Sequence, residues 1–158
     1  MIKDSGERRE FESGAVRDIQ EGKGRCDLLP LYEVGTVLND DIIQTIAYLC
    51  RATSTLCKED FVKQAFDLFC KKRGWTPEEA ILEVSKHYEE GAKKYGEWNW
   101  QKGIPTHSFI DSAVRHYLKW SKGDTDEPHD KAFIWNLLSY LYTVHYKPEY
   151  DDLGGHDG

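Results

Sequence analysis

Between Glu83 and Asn136, carboxylate, basic, imidazole and amide side chains recur on three periodic stretches, with Trp98, Trp100, Trp120 and Trp135 threaded among them. Inward-facing acids beside Arg, His and Asn are what a metal and phosphate site inside a helical bundle requires, because such sites draw ligands from facing helices. In the first stretch Glu83, His87, Glu90 and Lys94 follow at i, i+4, i+7 and i+11 on one helix face, with Glu89 alongside. In the second, Asp111 and Arg115 form an i, i+4 pair, and Arg115 with Lys119 offers a phosphate clamp beside His116. The third carries Glu127 and Asp130 as E-x-x-D, a spacing that shares a face and can hold Mg²⁺ through oxygen ligands and waters. His129, Phe133, Asn136 and Tyr140 line one stripe there, and a polar His and Asn on an aromatic stripe must be hydrogen-bonded if buried. Upstream, SGAVRDIQEGKGRCDLLP sets Arg17, Lys23 and Arg25 among three glycines, a composition that lets backbone approach an anion. Each motif has a plainer alternative: a salt-bridged solvent face, acids drawn to a helix N-terminus, a Trp capping the core, a solvated polar loop.

The elements that must position these groups read as helices. Ile42, Ile43, Ile46, Ala47 and Cys50 fall at helical spacing, as do Phe61, Ala65, Phe66, Leu68 and Phe69. Both runs read as core-packing support. Thr76, Pro77 and Glu79 supply an N-cap, a first-turn proline and a capping box for the next helix, with Gly96 as its stop. A fourth helix is expected from Ser108, with Asp111 completing a box, to about Ser121, and a fifth from near Pro128. The fold class expected is all-α: a compact bundle of about five helices with an irregular Gly/basic N-terminal loop. Residues 1–13 read as a flexible tail, 14–146 as one helical domain, and 147–158 as a flexible acidic end.

Composition bounds the function. The 158 residues fit one domain, and 39% hydrophobic with 13% aromatic content is globular. With 21 Lys plus Arg against 28 Asp plus Glu the net charge is −7, so no overall positive field attracts duplex nucleic acid. No apolar run spans a bilayer and the N-terminus begins with charged residues, so no membrane association and a cytoplasmic location are expected. Cys26, Cys50, Cys57 and Cys70 form no CxxC pair, which points to reduced thiols rather than a zinc site or disulfide framework.

Three blocks in order, SGAVRDIQEGKGRCDLLP, EVSKHYEEGAKKYGEWNWQKGIP and SFIDSAVRHYLKWSKGDTDEPHDKAFIWNLL, resemble a phage and prophage domain family described as the dATP/dGTP diphosphohydrolase N-terminal domain. The likeness spans most of residues 13–141, and 31–73 looks like a helical insertion between the first two blocks. It implies a relation to all-α nucleoside triphosphate pyrophosphohydrolases of the MazG and dimeric dUTPase kind, which bind Mg²⁺ on a bundle and work as dimers or larger assemblies. Their EExxE pattern is matched by Glu89 and Glu90, while Lys93 stands at the third acidic position. That departure leaves open either a rearranged metal set that recruits Glu83 or Asp111, or hydrolytic power that lies elsewhere in longer relatives.

The resemblance implies a metal-dependent pyrophosphohydrolase converting purine deoxynucleoside triphosphates, dATP and dGTP, to monophosphate plus pyrophosphate, and adjusting a phage nucleotide pool in the host cytosol. On that reading Mg²⁺ or Mn²⁺ would sit on Glu89, Glu90, Asp111, Glu127 and Asp130, with Glu90, His116 and His129 catalytic. Arg17, Lys23, Arg25, Lys94 and Arg115 would bind phosphates, and Asn99, Trp100 and Asn136 the base. A homo-oligomer is expected. Two rivals stay open: a non-catalytic phage protein that sequesters a nucleotide, and an HD-type phosphohydrolase built on His116, His129 and Asp130.

Overall fold

Six α-helices follow a short N-terminal hairpin in the computed structural model, which describes residues 8–18 and 20–153. Strands β1 (Arg8–Glu10) and β2 (Val16–Asp18) pair antiparallel, and a Gly-containing loop leads through a 3-10 turn (Cys26–Leu28) into α1 (Leu31–Leu38). Then come α2 (Asp41–Arg51), α3 (Thr55–Arg73), α4 (Pro77–Tyr95), α5 (Thr106–Ser121) and α6 (His129–Tyr146). The all-α expectation holds, with six helices rather than about five. The additional one, α1, is a two-turn segment too short to show a period, and it ends in left-handed Asn39. At its crossing with α2 no side chain fits: a Cβ on Gly35 would lie 2.6 Å from Gln44 Cγ and 2.9 Å from Gln44 N.

The α4 capping box forms as read, with Glu79 N donating to Thr76 Oγ1 and Thr76 N to the Glu79 side chain. The start of α5 does not. It begins at Thr106, and its first turn is capped from far along the chain, by Asp152 accepting from the backbone N–H of His107 at 2.9 Å. Asp111 therefore completes no box. Both Asp111 oxygens are engaged, one by Cys26 N at 2.6 Å and the other by Arg115.

Helices α5 and α6 form the central pair, with α3 and α4 packed on α6. Phe69 of α3 meets Phe133 of α6 at 4.7 Å and Trp120 of α5 at 4.9 Å, and Tyr88 of α4 meets Trp135 of α6 at 5.6 Å. Asp40 ties the α2 end to this core. It caps α2 by accepting from Ile42 N and Ile43 N, and it accepts from the Tyr117 hydroxyl of α5 as well.

The chain ends expected as tails are only partly described, and what is described is docked. Arg8–Glu10 belongs to the hairpin, and Pro148–Tyr150 forms a 3-10 turn after which Leu153 is buried. Residues 1–7 and 154–158 lie outside the described residues.

Candidate functional site

One amide pins the second strand of the hairpin to the bundle. Asn99 donates from Nδ2 to Val16 O at 2.7 Å and accepts from Val16 N at 2.8 Å, doing for β2 what a third strand would. Trp98 before it takes a left-handed conformation (φ 62°), uncommon outside glycine, which turns Asn99 into the 3-10 turn Asn99–Gln101. Further ties come from Arg115, donating to Gly24 O at 2.7 Å, and from the Ser13 hydroxyl on Gly103 O. The consequence is a cavity of about 290 Å³ walled by β1, β2 and their following loop on one side and by α4, α5 and α6 on the other.

Register places Arg9 directly opposite Arg17 across the hairpin. Like charges at facing positions oppose strand pairing. Arg17 lies over the rings of Phe109 and Trp135 at 5.4 and 5.5 Å, and donates to Ser112 Oγ at 2.9 Å and to Asn136 Oδ1 at 3.4 Å. Neither acceptor is charged. Burial, reinforced by Arg9, lowers the Arg17 pKa to about 10, so it stays cationic at neutral pH. Burial also lowers the Arg9 pKa, and although Asp111 opposes this, Arg115 and Arg25 add to it.

Among the described residues, six buried side-chain polar atoms have no partner, and four belong to residues lining this cavity: Arg9 Nε, Arg17 Nη1, His87 Nδ1 and Arg115 Nε. Buried polar groups are nearly always hydrogen-bonded, so a concentration of exceptions at one concave site marks where a ligand's acceptors belong. Three of the four atoms are on guanidinium groups, whose fixed donors suit phosphate or carboxylate oxygens.

His87 is neutral at pH 7, its pKa lowered to about 4 by burial, with Lys131 and Arg17 adding to the shift. The unfolded-state value near 6.5 lies above this, so acidification protonates the unfolded chain first. Stability should fall below pH 6.5 by up to about 1.4 kcal/mol per pH unit until roughly pH 4. His87→Gln should flatten that part of a denaturation-versus-pH profile.

The structure brings Arg17, Lys23, Asn99, Arg115, His116, Glu127 and Asn136 to this one cavity. Others go elsewhere. Arg25 forms a two-bond pair with Asp27 at 2.6 and 2.7 Å, and Lys94 does not line the cavity. Trp100 packs on Tyr142 at 4.8 Å and Tyr88 at 5.5 Å, beside a separate pocket of about 30 Å³. Asn99 lines the cavity, but its amide is occupied by Val16.

The five acids expected to share a metal do not converge. Glu89 is exposed, and neither it nor the half-buried Glu90 lines the cavity. Asp111 holds Cys26 N and Arg115, and Asp130 pairs with Arg73 of α3 at 2.8 Å and, unlike Glu127, does not line the cavity. Glu83 is no replacement, being paired with Lys86 at 2.8 Å and Lys131 at 3.4 Å. Among the described residues Asp130 does not join His116 and His129 in a group of potential metal ligands, its carboxylate being paired with Arg73.

A different group does converge. Ligand atoms of Asp124, Asp126 and His129 lie within 4.8 Å of one another. His129 Nε2 faces Asp126 Oδ1 at 2.8 Å, while its Nδ1 faces His116 Nδ1 at 2.9 Å. Burial lowers the His116 pKa well below the usual value, with His129 and His87 adding to the effect. Sequence reading missed Arg9, His87 and Trp135 as cavity residues and Asp124 and Asp126 as candidate ligands. Only the acid-rich loop SKGDTDEPHD carried any signal for the last two.

No helix is long and apolar enough to cross a membrane among the described residues. A family model described as dATP/dGTP diphosphohydrolase, N-terminal, matches residues 54–153, from the N-cap of α3 to the buried Leu153. The hairpin that brings Arg9 and Arg17 precedes the match. Neither curated proteins nor solved structures give a match.

Proposed function

Because the chain belongs to the dATP/dGTP diphosphohydrolase N-terminal family, we propose that it is a nucleoside triphosphate pyrophosphohydrolase acting on purine deoxynucleotides. The observation that carries this reading is the set of buried, unpartnered nitrogen atoms of Arg9, Arg17 and Arg115 around one cavity. A triphosphate would supply the acceptors these donors lack, and its charge would offset the repulsion between Arg9 and Arg17. Asn136 and the Trp135 ring would contact the base.

The reaction would join a water oxygen to the α-phosphorus and break its bond to the bridging oxygen, giving monophosphate and pyrophosphate. The cationic groups would stabilise charge that moves onto the leaving pyrophosphate. His116 lines the cavity as a neutral imidazole and would orient the attacking water, whose proton would pass to a phosphate oxygen of the substrate. A divalent cation, Mg²⁺ or Mn²⁺, would supply Lewis-acid polarisation of the phosphates when bound. A homo-oligomer acting on a phage deoxynucleotide pool in the host cytoplasm completes the proposal.

Incubating the purified chain with a panel of deoxy- and ribonucleoside triphosphates and Mg²⁺ or Mn²⁺, while following pyrophosphate and retained nucleotide, tests the reading. Monophosphate with pyrophosphate from dATP and dGTP is expected. Stoichiometric retention without products would replace hydrolysis by sequestration. That second reading is favoured by one observation, the position of Glu89 and Glu90 outside the cavity.

A further inference from the structure

We propose that Asp124, Asp126 and His129 form a site for a divalent transition metal at the rim of the nucleotide cavity, in place of an α4 carboxylate site for Mg²⁺. The proposal rests on the cavity being the nucleotide site.

The three residues come from one short connection whose shape is fixed at both ends. Helix α5 stops in a turn where Gly123 is left-handed (φ 95°), Gly123 N donates to Trp120 O at 3.0 Å and Asp124 N to Lys119 O at 3.0 Å. At the other end the His129 side chain is fully buried as the first residue of α6. Its ring has one nitrogen on each side of the question: Nδ1 against His116, Nε2 toward Asp126. A ligating imidazole uses one nitrogen for the metal and is oriented through the other, and His116 stands where that orienting partner is required. The Asp124 carboxylate pairs with the exposed Lys122 at 3.0 Å, a partner that can swing away.

Carboxylates and a histidine within 4.8 Å would not by themselves make a site. The independent observation is next door. Asp126 and Glu127 line the same cavity as Arg17 and His87, whose Nη1 and Nδ1 are buried without partners. An anion drawn in by those groups would extend past a rim that carries these acids, and a cation between them would meet both.

The donor set decides the class of ion. Mg²⁺ demands oxygen ligands in near-octahedral geometry, whereas one imidazole nitrogen with two carboxylates suits Mn²⁺, Fe²⁺ or Zn²⁺. His116 serves here as a positioning residue, acting through His129.

The test titrates Mn²⁺ alone into the nucleotide-free full chain, reading bound ion by electron paramagnetic resonance. One Mn²⁺ per chain is expected, with spin-echo modulation from an imidazole nitrogen. Asp126→Asn and Asp124→Asn alter exposed or half-buried groups and should fold, and each should weaken Mn²⁺ by at least about tenfold, as should His116→Asn. Mg²⁺ should compete only in large excess. No Mn²⁺ binding, affinity unchanged in both aspartate variants, absence of nitrogen modulation, or loss in Glu90→Gln instead would overturn the site. Because nucleotide is absent, failure here is separate from failure of the pyrophosphohydrolase reading, which nucleotide retention by the same preparation reports.

Discussion

Replacing Arg17 by Met should lower nucleotide affinity by about 100-fold while leaving the thermal midpoint unchanged or raised. Each hydrogen bond from a charged donor contributes about 1.5–3 kcal/mol, and two such bonds to phosphate correspond to roughly two factors of ten or more. Without ligand, Arg17 has no carboxylate partner among the described residues, where it donates to Ser112 and Asn136, and it faces Arg9. An apolar side chain of similar volume removes a buried charge that the fold does not compensate, a change that is often neutral or stabilising. Opposite movement of affinity and stability is the signature of a residue kept for ligand binding. Equilibrium dialysis with dATP and a thermal melt on the same sample check it, and a large drop in the midpoint with affinity intact would refute it.

Asp151→Ala should destabilise the protein by about 3–5 kcal/mol, lowering the midpoint by roughly 10 °C or more. Lys58 and Asp151 pair at 2.5 Å with side chains 9% and 10% exposed, and Asp151 also accepts from Thr106 Oγ1 at 2.8 Å. Truncating the acid strands the ammonium group of Lys58 inside the protein, and that uncompensated charge is the source of the loss. The double variant Lys58→Met with Asp151→Leu should recover most of it, because removing both charges leaves none to desolvate. Chemical denaturation of the unaltered protein and the two variants separates the pair from its parts.

Helix existence was legible where the signals are local. The Thr76–Glu79 box lies within one turn, and the apolar runs of α2 and α3 carry their own period. The start of α5 was not, since Asp152 caps it from forty-five residues away. The same division runs through the site. Glycine and basic residues before Leu31, with Arg115, His116 and Asn136, suggested an anion site, and Arg17, Lys23, Arg115, His116 and Asn136 do line a single cavity. The acids failed because helical spacing says which side chains share a face but not which neighbour that face meets. Asp111 is taken by its own Arg115 and by Cys26, Asp130 by Arg73. His87 stood on a face for which a salt-bridged solvent surface was the plainer alternative, and Arg9 in a segment that read as a tail.

The hairpin and loop bear three of the cavity's cations, Arg9, Arg17 and Lys23, yet across residues 8–30 the only buried residue among those described is Ala15. Such a segment contributes little apolar burial of its own and is retained by a handful of polar ties, chiefly Asn99 on Val16. Its opening free energy should therefore lie well below that of the helices, making it a separate cooperative unit that can lift without global unfolding. Amide exchange should show fast turnover at Val16 and its neighbours in the free protein, against slow turnover in α5 and α6. Nucleotide that bridges Arg17 and Arg115 would close this unit onto the bundle, so the wall of the cavity would be completed by the molecule it receives.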